Sequence, residues 1–245
     1  MKLTVIGNYG PYPKAGGACS GYLIEEGTTK IVLDFGNGVL SRLQKFIDIE
    51  EIDAILLSHL HSDHMSDIMV LRYAVDIKMN RGYMEKGIDV YAPSMPAEDF
   101  ERMKYKEALN LISIDEQKKI KIGELEISFK RMEHCIEDYA ICITCKGKKF
   151  VYSGDTSPNE ALIEFAKSAD LFLCEAGLLE RDEKSMRATH LTAKEAGDIA
   201  GRAGVKRLLL THFWPEFKLE QYLNETSSAF TGMFEIADEM RSYFI

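Results

Sequence analysis

The sequence predicts an α/β fold in which two β-sheets pack face to face and helices cover their outer surfaces. Three observations carry this expectation. Short apolar and β-branched runs follow one another in series, helix–strand alternation follows such a series, and no Pro/Ser-rich linker or low-complexity tract divides the 245 residues. We therefore expect one domain over 1–245. Hydrophobic residues make up 46% and charged residues 28%, ordinary for a globular chain. A chain of this length buries roughly 70–75% of its unfolded surface.

The elements follow in order. Lys2–Gly7, Tyr22–Glu25 and Lys30–Gly36 read as strands separated by Gly-rich turns. Gly38–Ile47 carries Val39, Leu40, Leu43, Phe46 and Ile47 at helical spacing. Ala54–Leu57 is a fully apolar run of the kind expected of a buried strand, Asp67–Met79 reads as a helix and Ile88–Ala92 as a strand. Pro96–Glu107 reads as a helix with Pro in its first turn, where the missing N–H costs nothing. A series of strands is expected at Leu109–Ile114, Lys119–Ile122, Glu126–Met132, Tyr139–Lys146 and Lys149–Ser153. Helix Glu160–Ala169 then precedes strand Leu171–Cys174, and helix Ala193–Ala203 precedes strand Arg207–Leu210. A helical tail from about Leu219 is expected to close the chain.

Thirty Lys+Arg against 39 Asp+Glu give a formal net charge of −9. An acidic chain is a poor general binder of polyanions. No apolar run approaches the ~18–20 residues of a membrane span, and Met1–Gly7 is too short an apolar stretch for a signal peptide. The five cysteines, odd in number and scattered, suit a reduced cytoplasmic protein. Cys142 and Cys145 form a lone CxxC within a strand, read as structural.

Six histidines are present, and their placement carries the functional reading. His59, His61 and His64, with Asp63, crowd into six residues just past the end of a buried strand. Neutral imidazoles and a carboxylate that one turn can aim at a common point match Zn²⁺, and with lower affinity Mn²⁺ or Fe²⁺. Further donors also follow predicted strands: His134, Asp155 in Ser153-Gly154-Asp155, and His212. Loops held at strand ends are where sites are usually built. Ala54–His59 and Leu208–His212 are both apolar runs ending in a hydroxyl residue and a His, a faint echo between two halves.

His59-x-His61-x-Asp63-His64, followed by His134, Asp155 and His212, resembles the dinuclear site of the metallo-β-lactamase superfamily, and the likeness covers the whole chain. The resemblance implies a four-layer αββα sandwich and two divalent metal ions, with Zn²⁺ the first choice. It implies His59, His61 and His134 on one ion, Asp63, His64 and His212 on the other, and Asp155 between them. Asp34 matches the family's buried first-motif Asp, whose expected work is to hold the metal loop by hydrogen bonds.

The sixth histidine discriminates among the family's reactions. His190, in Ala188-Thr189-His190-Leu191-Thr192, precedes a helix whose start carries the capping box Thr192-x-x-Glu195. With Cys174-Glu175-Ala176-Gly177 upstream, it resembles the paired His and Glu elements of the ribonuclease Z-like phosphodiesterases. That resemblance implies a hydroxide shared by the two metals as nucleophile, Asp63 as its proton holder, and His190, raised in pKa by Glu175, as acid to the leaving oxygen. Zinc β-lactamases usually carry Cys at the position of Asp155, and flavodiiron-type proteins Glu at the position of His61. Glyoxalase II-like thioesterases share the seven ligands without requiring His190.

Asp155 follows His134 by 21 positions, filled mostly by two expected strands. That leaves no room for the substrate-gripping arm of the transfer-RNA-processing enzymes. The expected substrate is accordingly a small or cyclic phosphodiester. Ribonuclease Z-like RNA cleavage, a thioesterase or lactonase activity, and a non-catalytic metal-binding role are the alternatives. The cysteine-rich zinc site frequent in the small cyclic phosphodiesterases has no counterpart pattern here. Lys146-Gly147-Lys148-Lys149 reads as a solvated hairpin. By the same family resemblance the Gly/Pro-rich loop 7–20 borders the active-site mouth, where Tyr9 or Tyr12 could stack a base; a plain surface loop is the alternative. Met65, Met69, Met79 and Met84, with Leu71, Tyr73 and Ile77, read as core filler, and the family resemblance implies a homodimer contact near them. Trp214 is expected to pack the His212 loop.

Overall fold

A computed structural model describes residues 1–182 and 189–245 of the chain; Ala188, the first residue of the string around His190, lies outside them. Two seven-stranded sheets form the inner layers. The first is built from β1 (Lys2–Gly7), β2 (Gly21–Glu26), β3 (Thr29–Leu33), β4 (Ala54–Leu56), β5 (Ile88–Ala92) and β6 (Leu109–Ser113). The second is built from β7 (Lys119–Ile122), β8 (Leu125–Arg131), β9 (Tyr139–Cys145), β10 (Lys148–Tyr152), β11 (Leu171–Glu175), β12 (Arg207–Thr211) and β13 (Met233–Ile236). The final strand, β14 (Ser242–Phe244), returns to the first sheet beside β1.

The strand orders are β14-β1-β2-β3-β4-β5-β6 and β7-β8-β9-β10-β11-β12-β13, and the two sheets repeat one pattern. Three antiparallel pairings come first, then three parallel ones beginning at β3/β4 and β10/β11. The echo between the halves is therefore real, but the two His-bearing strands are not its equivalent members. β4 is the first strand past β3, whereas β12 is the second past β10.

Alternation along the strands produces the layers. Ile31 and Leu33 face the other sheet, where they meet Phe150, Tyr152 and Leu173. Val32 points outward with Ile55 onto α1 (Val39–Leu43) and α3 (Ile68–Asn80). On the second sheet Val151, Phe172 and Leu210 point outward onto α5 (Glu160–Ala166), α6 (Ala193–Ala203) and α7 (Leu219–Ala229). The order helix, sheet, sheet, helix is the αββα sandwich expected. α2 (Ser62–Met65) and α4 (Ala97–Arg102) are single short turns. Among the described residues no helix is long and apolar enough to cross a membrane.

Three expectations need correction. The chain does not end in a helical tail: α7 stops at Ala229, and β13 and β14 then edge one sheet each. These strands have four and three residues and are held by partners far away in sequence, so no local periodicity announces them. The apolar residues of α3 are not all core, since Leu71 is buried while Val70, Tyr73 and Ile77 are exposed. The long helix expected over Pro96–Glu107 is confined to Ala97–Arg102, with Pro96 as its N-cap.

Cys142 and Cys145 are both buried and face opposite sides of β9, one among the residues under the helices and the other between the sheets. Three-residue spacing on a strand makes this outcome necessary, and the structural reading of the CxxC stands. Lys146 and Gly147 form the β9–β10 turn with positive φ, and Lys146 pairs with Glu26 and Glu124 at 2.7 Å each.

Candidate metal centre

The candidate site lies where the parallel strands of both sheets end. Asp34 follows β3, His59 follows β4, Asp155 follows β10, Glu175 ends β11 and His212 follows β12. Crevices beyond the carboxyl ends of parallel strands gather loops in this way. Asp34 and His212 take left-handed backbone conformations, φ 53° and 63°, a sparsely populated region for non-glycine residues that structures retain mainly at functional sites.

The structure brings together the seven expected ligands with His190, Glu175 and Asp34. His59 Nε2 and His134 Nε2 lie 3.0 and 3.1 Å from His61 Nδ1. Beside this group, Asp155 Oδ2 lies 3.4 Å from His64 Nε2 and 3.2 Å from His212 Nε2. Asp63 Oδ2 lies 3.5 and 3.2 Å from the same two nitrogens. His59 Nε2 is 3.8 Å from Asp155 Oδ2, so this oxygen adjoins both groups. His190 Nδ1 faces Glu175 Oε1 at 3.2 Å and Asp155 Oδ2 at 3.7 Å.

The far sides of the imidazoles are held by other partners. His64 Nδ1 donates to Asp34 Oδ2 at 2.7 Å. The other oxygen of Asp34 accepts the Ser58 backbone N–H at 2.7 Å, and the Ser58 hydroxyl reaches both oxygens. His134 Nδ1 donates to the Thr189 carbonyl at 2.9 Å. His59 Nδ1 lies 2.7 Å from Asp138 Oδ2. Asp138 is the residue that sequence reasoning missed. Its signal, an acidic residue four positions past His134, is too common to have stood out.

Electrostatics divide the cluster. Burial, reinforced by the neighbouring imidazoles, holds His59 well below the ordinary histidine range and brings His61 down to about 4. Both are neutral at pH 7, the form that ligates metal. Burial also opposes charge on His64 and His212, but Asp155 and Asp63 outweigh it and raise both. Asp63 and Asp155 are correspondingly held below the carboxylate range by these imidazoles, against the effect of burial. Burial, then the Asp155 charge, pushes Asp138 well above it. For His190, burial lowers the pKa but Glu175, then Asp155 and Asp63, raise it to about 9.

This donor set fits divalent cations. Three imidazole nitrogens crowd together, and one proton between each pair is the most they could share. His64 Nε2 and Asp155 Oδ1 are buried without any hydrogen-bond partner, a costly state that a cation relieves. Four overlapping sets of His and Asp atoms could hold an ion: His59/His61/His134, His59/His64/Asp155, Asp63/His64/His212 and Asp155/His190/His212.

Glycines let the backbone approach this cluster. A Cβ on Gly10 would fall 2.0 Å from His212 Nε2, and one on Gly36 would fall 1.9 Å from the Asp63 carbonyl oxygen. The capping box Thr192–Glu195 forms as expected and anchors α6 directly after His190. In loop 7–20, Tyr9 is only 4% exposed, which removes it as a base-stacking platform, whereas Tyr12 is 48% exposed. Trp214 stacks on Phe217 with ring centroids 6.0 Å apart, in keeping with a packing role.

Comparison with known proteins places this geometry in a family. Residues 29–213 match the Beta-lactamase superfamily domain. The chain is 36% identical over 238 residues to the probable metallo-hydrolase YhfI of Bacillus subtilis, covering 97% of each chain. It superposes on the crystal structure of YhfI with a TM-score of 0.94, covering 99% of this chain and 98% of that one. It is 26% identical over 275 residues to a ribonuclease Z of Brevibacillus brevis, covering 86% of each. A diphosphatase of the PhnP family shares the fold at a TM-score of 0.76 and 16% identity, covering 100% of this chain and 97% of that one. The chain belongs to the metallo-β-lactamase superfamily, on its ribonuclease Z-like side, and is a metallo-hydrolase of that fold.

Proposed function

We propose that this chain is a single-domain, cytoplasmic, binuclear metallo-hydrolase that cleaves a small or cyclic phosphodiester. The observation that carries the reading is His190, held through Nδ1 by the buried Glu175 carboxylate at 3.2 Å beside Asp155. An acid raised to about 9 is what departure of a basic alkoxide demands, and hydrolysis of an activated carbon ester does not.

In this reading His59, His61 and His134 hold one ion, Asp63, His64 and His212 the other, and Asp155 serves both. The ring nitrogens and carboxylates favour Zn²⁺, then Mn²⁺ or Fe²⁺. Two divalent cations held there would supply an activated water and polarisation of the phosphoryl oxygens. Asp63, kept ionised by His64 and His212, would accept a hydrogen bond from that water and hold it in place. Glu175 is itself fixed, accepting the Thr156 N–H at 2.7 Å and the Gly177 N–H at 3.3 Å. It thereby orients His190, which protonates the leaving oxygen.

Two features favour a small substrate. The segment from His134 to Asp155 is largely the hairpin β9–β10, and the net charge is −9. The likeness to ribonuclease Z supports phosphodiester chemistry and keeps RNA as the second reading. Val70, Tyr73 and Ile77 form an exposed apolar stripe on α3, and the homodimer reading rests on them.

The test is a screen of metal-loaded protein against bis-p-nitrophenyl phosphate, cyclic nucleotides, short RNA, thioesters and lactones. The reading expects the phosphodiesters, and cyclic nucleotides above RNA. Faster turnover of a thioester or lactone, or no turnover at all, overturns it.

A further inference from the structure

Asp34 and Asp138 are two fully buried carboxylates, each against a metal-centre histidine. Asp34 follows a strand of the first sheet and is recognisable from the sequence. Asp138 sits just before β9 of the second sheet and carries no motif. Yet its Oδ2 lies 2.7 Å from His59 Nδ1 and accepts the backbone N–H of Asp155 at 3.1 Å. One oxygen thus touches a candidate ligand from the β4 loop and the backbone of another from the β10 loop.

The surrounding chain is shaped to this carboxylate. Gly154 takes φ +61°, and a Cβ there would lie 2.2 Å from Asp138 Oδ1. Asp34 cannot replace Asp138, because Ser58, His64 and Tyr152 already occupy its oxygens. The Ser58 hydroxyl also reaches His59 Nδ1, at 3.1 Å, but it is farther than Asp138 Oδ2 at 2.7 Å and already donates to Asp34. The nearer contact of His59 Nδ1 is therefore the Asp138 carboxyl group.

We propose that Asp138 is a positioning residue that aims His59 and the shared Asp155 together, and so sets the occupancy of the His59/His61/His134 group. The inference rests on the two-ion reading given above. Its physical basis is general. A carboxylate accepting from the far N–H of a ligand imidazole selects the tautomer that leaves the other nitrogen free. It also fixes the ring and makes it more basic, and losing such a partner typically costs about 10–100-fold in metal affinity. The Asp63/His64/His212 group has its own carboxylate, Asp34, so the loss should fall on one ion.

The experiment is titration of chelator-stripped full-length protein with Zn²⁺ against a competing chelator, and separately with Co²⁺ read by its absorption spectrum. Wild type, Asp138→Asn and Asp138→Ala are compared. Wild type should take up two equivalents. In Asp138→Asn one equivalent should weaken about tenfold, and in Asp138→Ala towards 100-fold. The other equivalent should hold its affinity, with the Co²⁺ spectral change confined to the weakened one. The Asn variant keeps the shape of the side chain and serves if the Ala variant does not fold. Equal weakening of both ions, or wild-type affinity in Asp138→Asn, overturns the proposal. Uptake of a single ion by wild type overturns both this proposal and the two-ion reading. Two ions without phosphodiester turnover overturn only the proposed reaction, and the comparison of variants then decides Asp138 alone.

Discussion

The Tyr152 hydroxyl and the His64 imidazole donate to the same oxygen of Asp34, each at 2.7 Å. Tyr152 ends β10 in the second sheet, and Asp34 follows β3 in the first. One buried carboxylate therefore ties the two sheets together and braces a candidate metal ligand. Tyr152→Phe leaves the shape intact and removes one donor from a buried charge. It should cost about 1–3 kcal/mol of stability, measured by urea unfolding, and should weaken Zn²⁺ binding in the same preparation.

His190 and Glu175 should separate chemistry from metal binding. His190→Ala should cut turnover of bis-p-nitrophenyl phosphate by about 10²–10⁴ with metal content unchanged by elemental analysis. Glu175→Gln should show a smaller loss of the same kind, since it frees the ring without removing it. Wild-type turnover in His190→Ala would reassign the acid.

Removing metal should abolish hydrolysis and lower the melting temperature. A ligand at a hundredfold excess over its Kd stabilises by about 2.7 kcal/mol, which for a chain of this size is a shift of about 5–10 °C. Calorimetry before and after chelation, then after return of Zn²⁺, measures it. No shift would mean that the cluster binds no ion tightly.

Gly10→Ala tests how closely loop 7–20 is fitted to the centre. The added methyl would fall 2.0 Å from His212 Nε2, so either the loop or the ring must move. Overpacking of this kind costs about 1–3 kcal/mol. The loss should be larger with Zn²⁺ present than without it in paired unfolding curves.

Asp170 supplies a pH test remote from the metal centre. Burial raises its carboxyl, but Lys206 at 2.8 Å and the Lys149 N–H at 2.9 Å outweigh burial and lower it. A depressed carboxylate stabilises the fold above its unfolded pKa of about 4 and loses that contribution as pH falls through its lower folded value. Asp170→Asn should therefore lower the melting temperature at pH 7, and the difference should shrink below about pH 4. A constant difference across pH would remove the charge from the explanation.

The sequence by itself determined the donor set. His59, His61, Asp63 and His64 are legible because one short turn holds them all, and His134, Asp155 and His212 because each follows a strand that its own side chains announce. The fully apolar run Ala54–Leu57 was likewise enough to imply a buried strand, and Ile55 and Leu56 do pack on opposite faces of β4. Local chemistry and local periodicity are properties of neighbouring residues, and a sequence displays neighbours.

Only the tertiary structure decided the rest, because the remaining relationships join residues that are distant in sequence. β14 pairs with β1 across the length of the chain, and three residues carry no periodic signal of their own. Tyr73 and Ile77 look like core until the packing of α3 leaves them outside. Asp138 is one acidic residue among 39 Asp and Glu until folding sets its oxygen against His59 and the Asp155 backbone. A contact of 2.7 Å depends on where two sheets place their loops, and no spacing along the chain encodes that distance.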